Sequence, residues 1–337
     1  MAPLRSADLF AGMAGWTLAL SRAAEPALYC DNDRRSRTFL EAEMLAGRLP
    51  SAPIVDDVRD TRALAALGPV DIVTAGFPCS GFSSAGARRG LLDNRSALFH
   101  DTVIAAVALR ADHVALENVE PGARDLAEIV RVLAESGFTD VGCTVVSAAD
   151  VGAPHARRRW FCLASRPGRR LLLDGLRGLP EWRRPPAMTV RGLGDADHDL
   201  LALLGNSLVP QAARTALLRL TRTAERLTPP AERAPGLSIV LDPLHYDRDP
   251  QAPSPRTRSS ELARPVTRRA WPTPRHGPCS HAHVLTERAS WDLGTAVRFA
   301  ASVDGSATPR TSPRDKLNPA FVTWLMRGDS ETSAETA

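Results

Sequence analysis

The chain has 337 residues, 44% of them hydrophobic, enough for one large domain or two smaller ones around a real core. No apolar run approaches the roughly 18–20 residues of a membrane span, no signal peptide follows Met1, and five cysteines without a Cys-x-x-Cys pair speak against a disulfide framework or structural zinc and for reduced thiols in a cytoplasm. Charge is uneven: residues 1–150 hold 14 Arg against 20 acids (−6), residues 151–235 hold 15 Arg against 7 (+8), and residues 251–328 hold 12 Lys and Arg against 5 (+7), so a small-molecule domain is expected beside a surface for a polyanion.

Over the first 165 residues short apolar runs alternate with helical patterns, which predicts a mostly parallel, doubly wound α/β sheet. Strands are expected at Leu4–Phe10, Ala27–Cys30, Val70–Ala75, His113–Glu117, Val141–Val146 and Trp160–Ala164. Helices are expected between them at Trp16–Ala24, Arg34–Ala46, Ser96–Arg110 and Ala123–Ser136, the last stopped by Gly137. Pro, Arg and Gly dominate 166–194, which reads as loop. An amphipathic helix at Pro210–Arg226 follows, with Ala213, Leu217, Leu218 and Leu220 apolar. Residues 229–278 read as a linker or irregular arm, Pro319–Met326 as a short helix, and the tail after Gly328 as disordered.

The first strand runs through Asp8-Leu9-Phe10-Ala11-Gly12-Met13-Ala14-Gly15 into a helix. Such a glycine turn lets backbone N–H groups approach a nucleotide-like ligand, although many merely pack a helix on a sheet. At the end of the second strand, Asp31 of Cys30-Asp31-Asn32-Asp33 is placed to accept hydrogen bonds from ribose hydroxyls. Asp57-Val58, near the expected third strand, is placed to meet an adenine amino group. After the next strand comes Gly76-Phe77-Pro78-Cys79-Ser80-Gly81-Phe82-Ser83-Ser84-Ala85-Gly86. A lone cysteine is usually a small buried hydrophobe; one in a Gly/Ser-rich loop after a strand is a better candidate nucleophile.

Here the chain resembles the DNA cytosine-5 methyltransferase family, and further blocks follow in order. Asp93-Asn94-Arg95-Ser96-Ala97-Leu98-Phe99 resembles the turn after the nucleophile loop, and Glu117-Asn118-Val119 the family's Glu-Asn-Val. Gly152-Ala153-Pro154-His155-Ala156-Arg157-Arg158-Arg159 resembles Pro-Gln-x-Arg-x-Arg, and Gly205-Asn206-Ser207-Leu208-Val209-Pro210 the block that opens the closing helix. The resemblance covers about two-thirds of the chain, residues 8–214. It implies a Rossmann-like S-adenosylmethionine-dependent fold with a small irregular basic DNA-recognition region. It also implies methyl transfer to carbon 5 of a cytosine flipped out of duplex DNA, leaving S-adenosylhomocysteine.

Carbon 5 of cytosine is too weak a nucleophile to take a methyl group unaided. The resemblance therefore implies that the Cys79 thiolate adds to carbon 6, that Glu117 binds N3 and the exocyclic amine and supplies a proton, and that Arg157 and Arg159 hold the base O2 and nearby backbone. Arg158, between them on a strand, should face the other way. Phe10, Gly12, Gly15, Asp31, Asn32, Asp57, Val58, Pro78, Leu98, Asn206 and Ser207 match family positions around the cofactor, and no metal is expected.

Three departures stand out. Ala14 replaces a usual Gly, and His155 a usual Gln. Only 39 residues, 166–204, separate the Arg-x-Arg and Gly-Asn-Ser blocks, too few for the family's recognition domain, while Trp271-Pro272-Thr273-Pro274 and Leu317–Met326 resemble pieces that phage-type members carry earlier. The expected organisation is a catalytic and cofactor-binding domain at 1–165, a short insert at 166–204, a closing helix at 205–228, and a linker with a relocated recognition region at 229–337. A monomer acting on double-stranded DNA, with no membrane partner, is expected; the residues name no restriction endonuclease or phage partner. Two rival functions are a tRNA cytosine-5 methyltransferase, whose Cys-Phe-Thr element is not found here, and an inactive DNA-binding homologue, against which Cys79, Glu117 and Arg159 argue.

Overall fold

The computed structural model describes residues 2–78, 97–173 except 154 and 156, 176, 189–191, 200, 203–227 except 205, 238–241, 315–317 and 323. In chain order the strands are β1 (Leu4–Leu9), β2 (Ala24–Cys30), β3 (Ile54–Val55), β4 (Ile72–Ala75), β5 (His113–Asn118), β6 (Asp140–Ser147), β7 (Arg158–Ser165), β8 (Thr189–Arg191), β9 (Ser238–Leu241) and β10 (Asp315–Leu317). The helices are α1 (Gly15–Leu20), α2 (Arg34–Leu45), α3 (Thr61–Ala66), α4 (Ala97–Ala108), α5 (Ala123–Glu135) and α6 (Pro210–Leu227).

Eight strands form one sheet in the order β3-β2-β1-β4-β5-β7-β6-β9. Strands β3 through β5 are parallel, β7 is antiparallel to both β5 and β6, and β9 joins β6 in parallel. The central strands are covered by helices on both faces, and all six residues of β5 are buried, its polar His113, Glu117 and Asn118 included. On one face Phe99 and Val103 of α4 and Ile129 and Leu133 of α5 close a core over the sheet. On the other, Trp16 and Leu20 of α1 pack with Ala213, Leu217 and Leu220 of α6. Helix α5 shows why periodicity reads well here: Ile129, Val130 and Leu133 are buried, while exposed Arg131 pairs with Glu128 and Glu135 at 2.6 Å each.

Several boundaries differ from the sequence reading. Helix α1 ends at Leu20, not Ala24, because Arg22 turns left-handed at φ 74° and sends the chain straight into β2. That strand begins three residues earlier than expected, at Ala24. Its Pro26 is tolerated because the register slips there, Ser6 facing Pro26 and Ala7 facing Leu28, which leaves Ala27 as the extra residue of a bulge. Helix α4 stops at Ala108, with Arg110 at φ 49°. The supposed loop at 166–194 contains β8, and the supposed arm at 229–278 contains β9, which lies along the edge of β6. Both are only three or four residues long and gain their definition from partner strands, a signal that local composition lacks. Of the expected helix at Pro319–Met326 only Thr323 is among the described residues; it is helical and buried. No helix among the described residues is long and apolar enough to cross a membrane.

Candidate active site

Register aligns the ends of the parallel strands. Val55, Cys30, Leu9, Ala75 and Leu116 are successive partners across β3, β2, β1, β4 and β5. The residue after each one therefore opens along a single edge: Asp56, Asp31, Phe10, Gly76 and Glu117. The strand order reverses between β1 and β4, the switch point where open α/β sheets bind ligands.

On the β1–β2 side the turn is tight. Phe10, Gly12 and Ala14 all have positive φ, at 54°, 52° and 57°. Ala14 thus adopts, at a cost of about 1 kcal/mol, the conformation that glycine takes freely. Gly15 is required for another reason: a Cβ there would sit 2.8 Å from the Cβ of Leu208, so the closing block packs directly on the start of α1. Asp31 accepts the Gly12 N–H and the Asp33 N–H, each at 2.8 Å, and holds the turn against the end of β2. Burial pushes its carboxyl above the usual range, while those two N–H groups pull it back.

Asp8 is a feature whose role sequence reasoning missed. It is buried in β1 and accepts hydrogen bonds from the Thr17 N–H (3.1 Å), the Thr17 hydroxyl (2.9 Å) and the Thr74 hydroxyl (3.4 Å). It thereby ties the start of α1 to β1 and β4, and desolvation drives its pKa up to about 7 despite these bonds. An acid set between Ala7 and Leu9 at the buried end of β1 was the available signal. Arg214 of α6 was missed too. Buried, it donates to the carbonyls of Ala19 (2.7 Å), Leu18 (3.2 Å) and Ser21 (3.4 Å), and so clamps the far end of α1.

The other expected cofactor positions differ in exposure. Val58 is buried, and Asp57 is half-buried and paired with Arg59 at 2.7 Å, which holds its carboxyl below the usual range. Asn32 and Asn206 are exposed, Leu98 is partly buried against the core, and the Ser207 hydroxyl donates to the Leu204 carbonyl at 3.0 Å. A glycine turn beside a strand-end carboxylate is an arrangement that could hold an adenosine-bearing ligand.

On the β4–β5 side the arrangement faces the other half of the edge. Phe77 is buried against the Phe99 ring, 5.6 Å between centroids, and its carbonyl accepts the Asn118 side-chain N–H at 3.0 Å. These contacts fix where the backbone leaves the sheet; Pro78, the next residue, is exposed, and Cys79 lies outside the described residues. Glu117 leans over Gly76, its Oε2 3.4 Å from where a Cβ would stand. Arg159 Nε lies 3.1 Å from Glu117 Oε1. The contact is an ion pair, and among the described residues Glu117 Oε1 is buried without a hydrogen-bond partner. Arg158 turns away to Glu120 at 3.1 Å on the exposed side. Arg157 is buried, and its backbone N–H donates to Nδ1 of fully buried His155 at 3.3 Å. The structure therefore joins Glu117 with Arg159, and Arg157 is buried beside His155.

The match to a family model falls on these same elements: residues 4–218 match C-5 cytosine-specific DNA methylase. The chain belongs to the C-5 cytosine-specific DNA methylase family. It is similar to the type II methyltransferase M.CviJI of Paramecium bursaria Chlorella virus IL3A, 30% identical over 220 residues, 63% of this chain and 58% of that protein. It is also similar to the type II methyltransferase M.HpaII of Haemophilus parainfluenzae, 34% identical over 163 residues, 46% of this chain and 44% of that protein. The chain spans about half the length of the curated relatives it matches. Among solved structures, the Entamoeba histolytica methyltransferase EhMeth aligns at TM-score 0.40 and 15% identity over 49% of this chain and 53% of that one. The family match ends inside α6 of this C-5 cytosine-specific DNA methylase, so β9 and β10 lie beyond it.

Proposed function

We propose that this chain methylates carbon 5 of cytosine in duplex DNA, with S-adenosylmethionine as methyl donor and Cys79 as covalent nucleophile. The observation that best supports this is the pairing of Glu117 with Arg159 directly over Gly76, three residues before Cys79. A carboxyl group and a guanidinium are thereby brought to the root of a thiol-bearing loop. The Glu117 Oε1 that accepts no hydrogen bond is the atom expected to meet a base edge.

In this mechanism Phe10, Gly12, Asp31 and Asp57 hold the adenosine of the cofactor, with Asp31 accepting from the ribose hydroxyls. The cofactor supplies an electrophilic methyl group on a sulfonium. Cys79 attacks carbon 6 of the flipped cytosine as a thiolate, forming the S–C6 bond, while Glu117 delivers a proton to N3. The electron pair moves to carbon 5, which becomes the nucleophile. Arg159 holds Glu117 and the base O2 in one plane. Once carbon 5 is methylated, its proton passes to water, the released pair forms the C5–C6 double bond and expels Cys79 as a thiolate, and N3 returns its proton to Glu117. Arg-rich stretches after residue 150 neutralise DNA phosphates. The test is trapping on duplex DNA carrying 5-fluorocytosine, where the C5 proton cannot leave: a denaturation-resistant adduct is expected with wild type and none with Cys79→Ser. Equal methyl incorporation by Cys79→Ser would remove the covalent role, and incorporation into tRNA but not DNA would change the substrate.

A further inference from the structure

Strand β7 begins beyond the point where β5 has ended. The ladder between them stops at Asn118 facing Trp160, so among the described residues Arg158 and Arg159 are paired with β6 alone, through Ser147 and Val146. This overhang is where the two arginines part: Arg159 reaches Glu117 and Arg158 reaches Glu120, each at 3.1 Å. Adjacent side chains on a strand point to opposite faces, so a twist of the overhang swings Arg159 away from Glu117. The contact at the centre of the candidate site therefore depends on what holds the root of β7.

That root is Arg157, and both of its backbone groups are held. Its carbonyl accepts the Ala148 N–H at 2.8 Å, and its N–H donates to Nδ1 of His155 at 3.3 Å. The imidazole is fully buried. A backbone N–H can only donate, so Nδ1 carries the lone pair and the ring proton sits on Nε2. A side chain that accepts the N–H two residues further on makes the bend that Asn makes in an Asx turn. Imidazole Nδ1 lies as many bonds from Cα as the Asn side-chain oxygen does. We infer that His155 is a positioning residue: its neutral imidazole fixes the backbone at Arg157 and thereby sets Arg159 beside Glu117. What that pair does to a base rests on the proposed reading; the positioning itself does not.

Two substitutions in the full chain separate the acceptor from the volume. His155→Asn keeps an acceptor for the Arg157 N–H but leaves a void, whereas His155→Leu fills the space and accepts nothing. Turnover on duplex DNA with labelled S-adenosylmethionine should stay within about threefold of wild type in His155→Asn and fall about tenfold or more in His155→Leu. The fall should lie in kcat, with calorimetric S-adenosylmethionine affinity near wild type in both variants. Both should melt below wild type, so the rate should not follow thermal stability. The positioning is also read without activity. In isotopically labelled protein the Arg159 Nε–H resonance should keep its wild-type place in His155→Asn and move in His155→Leu. Equal losses in the two variants, full turnover in His155→Leu, loss of its cofactor affinity, or an unmoved Arg159 resonance would each overturn the inference. A wild type that methylates no duplex would refute the proposed activity alone, and the Arg159 resonance would still decide the role of His155.

Discussion

The two halves of the site edge are built on opposite terms. On the β1–β2 side, buried acids are satisfied by the protein itself: Asp8 by Thr17 and Thr74, Asp31 by the N–H groups of Gly12 and Asp33. On the β4–β5 side, Glu117 pairs with Arg159 at 3.1 Å and keeps a buried oxygen that accepts no hydrogen bond among the described residues. A half that closes its own hydrogen bonds is preorganised and holds its shape without ligand. A half that leaves one oxygen open, with its charge already offset by an ion pair, keeps an acceptor for a partner that arrives. The difference suits a resident small molecule on one side and a transient base on the other.

The largest effect should come from breaking the open half. Glu117→Gln keeps the shape of the side chain but cannot supply a proton, so methyl transfer to DNA should fall by about a hundredfold or more. S-adenosylmethionine affinity should stay near wild type, because the closed half is untouched; a calorimetric loss matching the rate loss would merge the two halves.

Asp8 tests the closed half through pH. Its folded pKa is raised to about 7 from an ordinary 3.8, so the folded state holds a proton that the unfolded chain has released. The stability linked to it is present below about pH 4 and is lost as pH rises through about 7, up to about 4 kcal/mol in all. Urea midpoints at pH 5 and pH 8 should show this slope in wild type and a much flatter one in Asp8→Asn. Identical slopes would place the proton elsewhere.

A smaller change is expected at Asp31. Removing its carboxylate frees two N–H groups in the turn and takes the acceptor from the ribose, so Asp31→Ala should weaken S-adenosylmethionine binding by about 1–3 kcal/mol. Unchanged affinity would assign the ribose to Asp33. The smallest effect is at Ala14, held at φ 57°. Ala14→Gly should relieve that strain, offset in part by a more flexible unfolded chain, and raise stability by about 0.5 kcal/mol. A loss measured by thermal unfolding would show that the methyl group is packed to advantage.

What the sequence determined by itself is the central sheet and the family to which its motifs belong. The apolar run Val114–Leu116 and the amphipathic pattern of Ala123–Glu135 declare strand and helix locally, since a buried parallel strand and a half-buried helix each need one periodicity. Glu117 and Arg159 were legible for a similar reason, because a strand end beside short motifs restricts where such residues can be. The tertiary structure alone decided that Glu117 and Arg159 meet, because β7 runs antiparallel to β5 and returns its first residues to the same edge. It alone decided that Asp8 and Arg214 fasten the two ends of α1, since their partners lie up to 196 residues away in the chain. The short strands β8, β9 and β10 were invisible beforehand because they are held by pairing, not by propensity. A pairing energy belongs to two segments at once and cannot be read from either one.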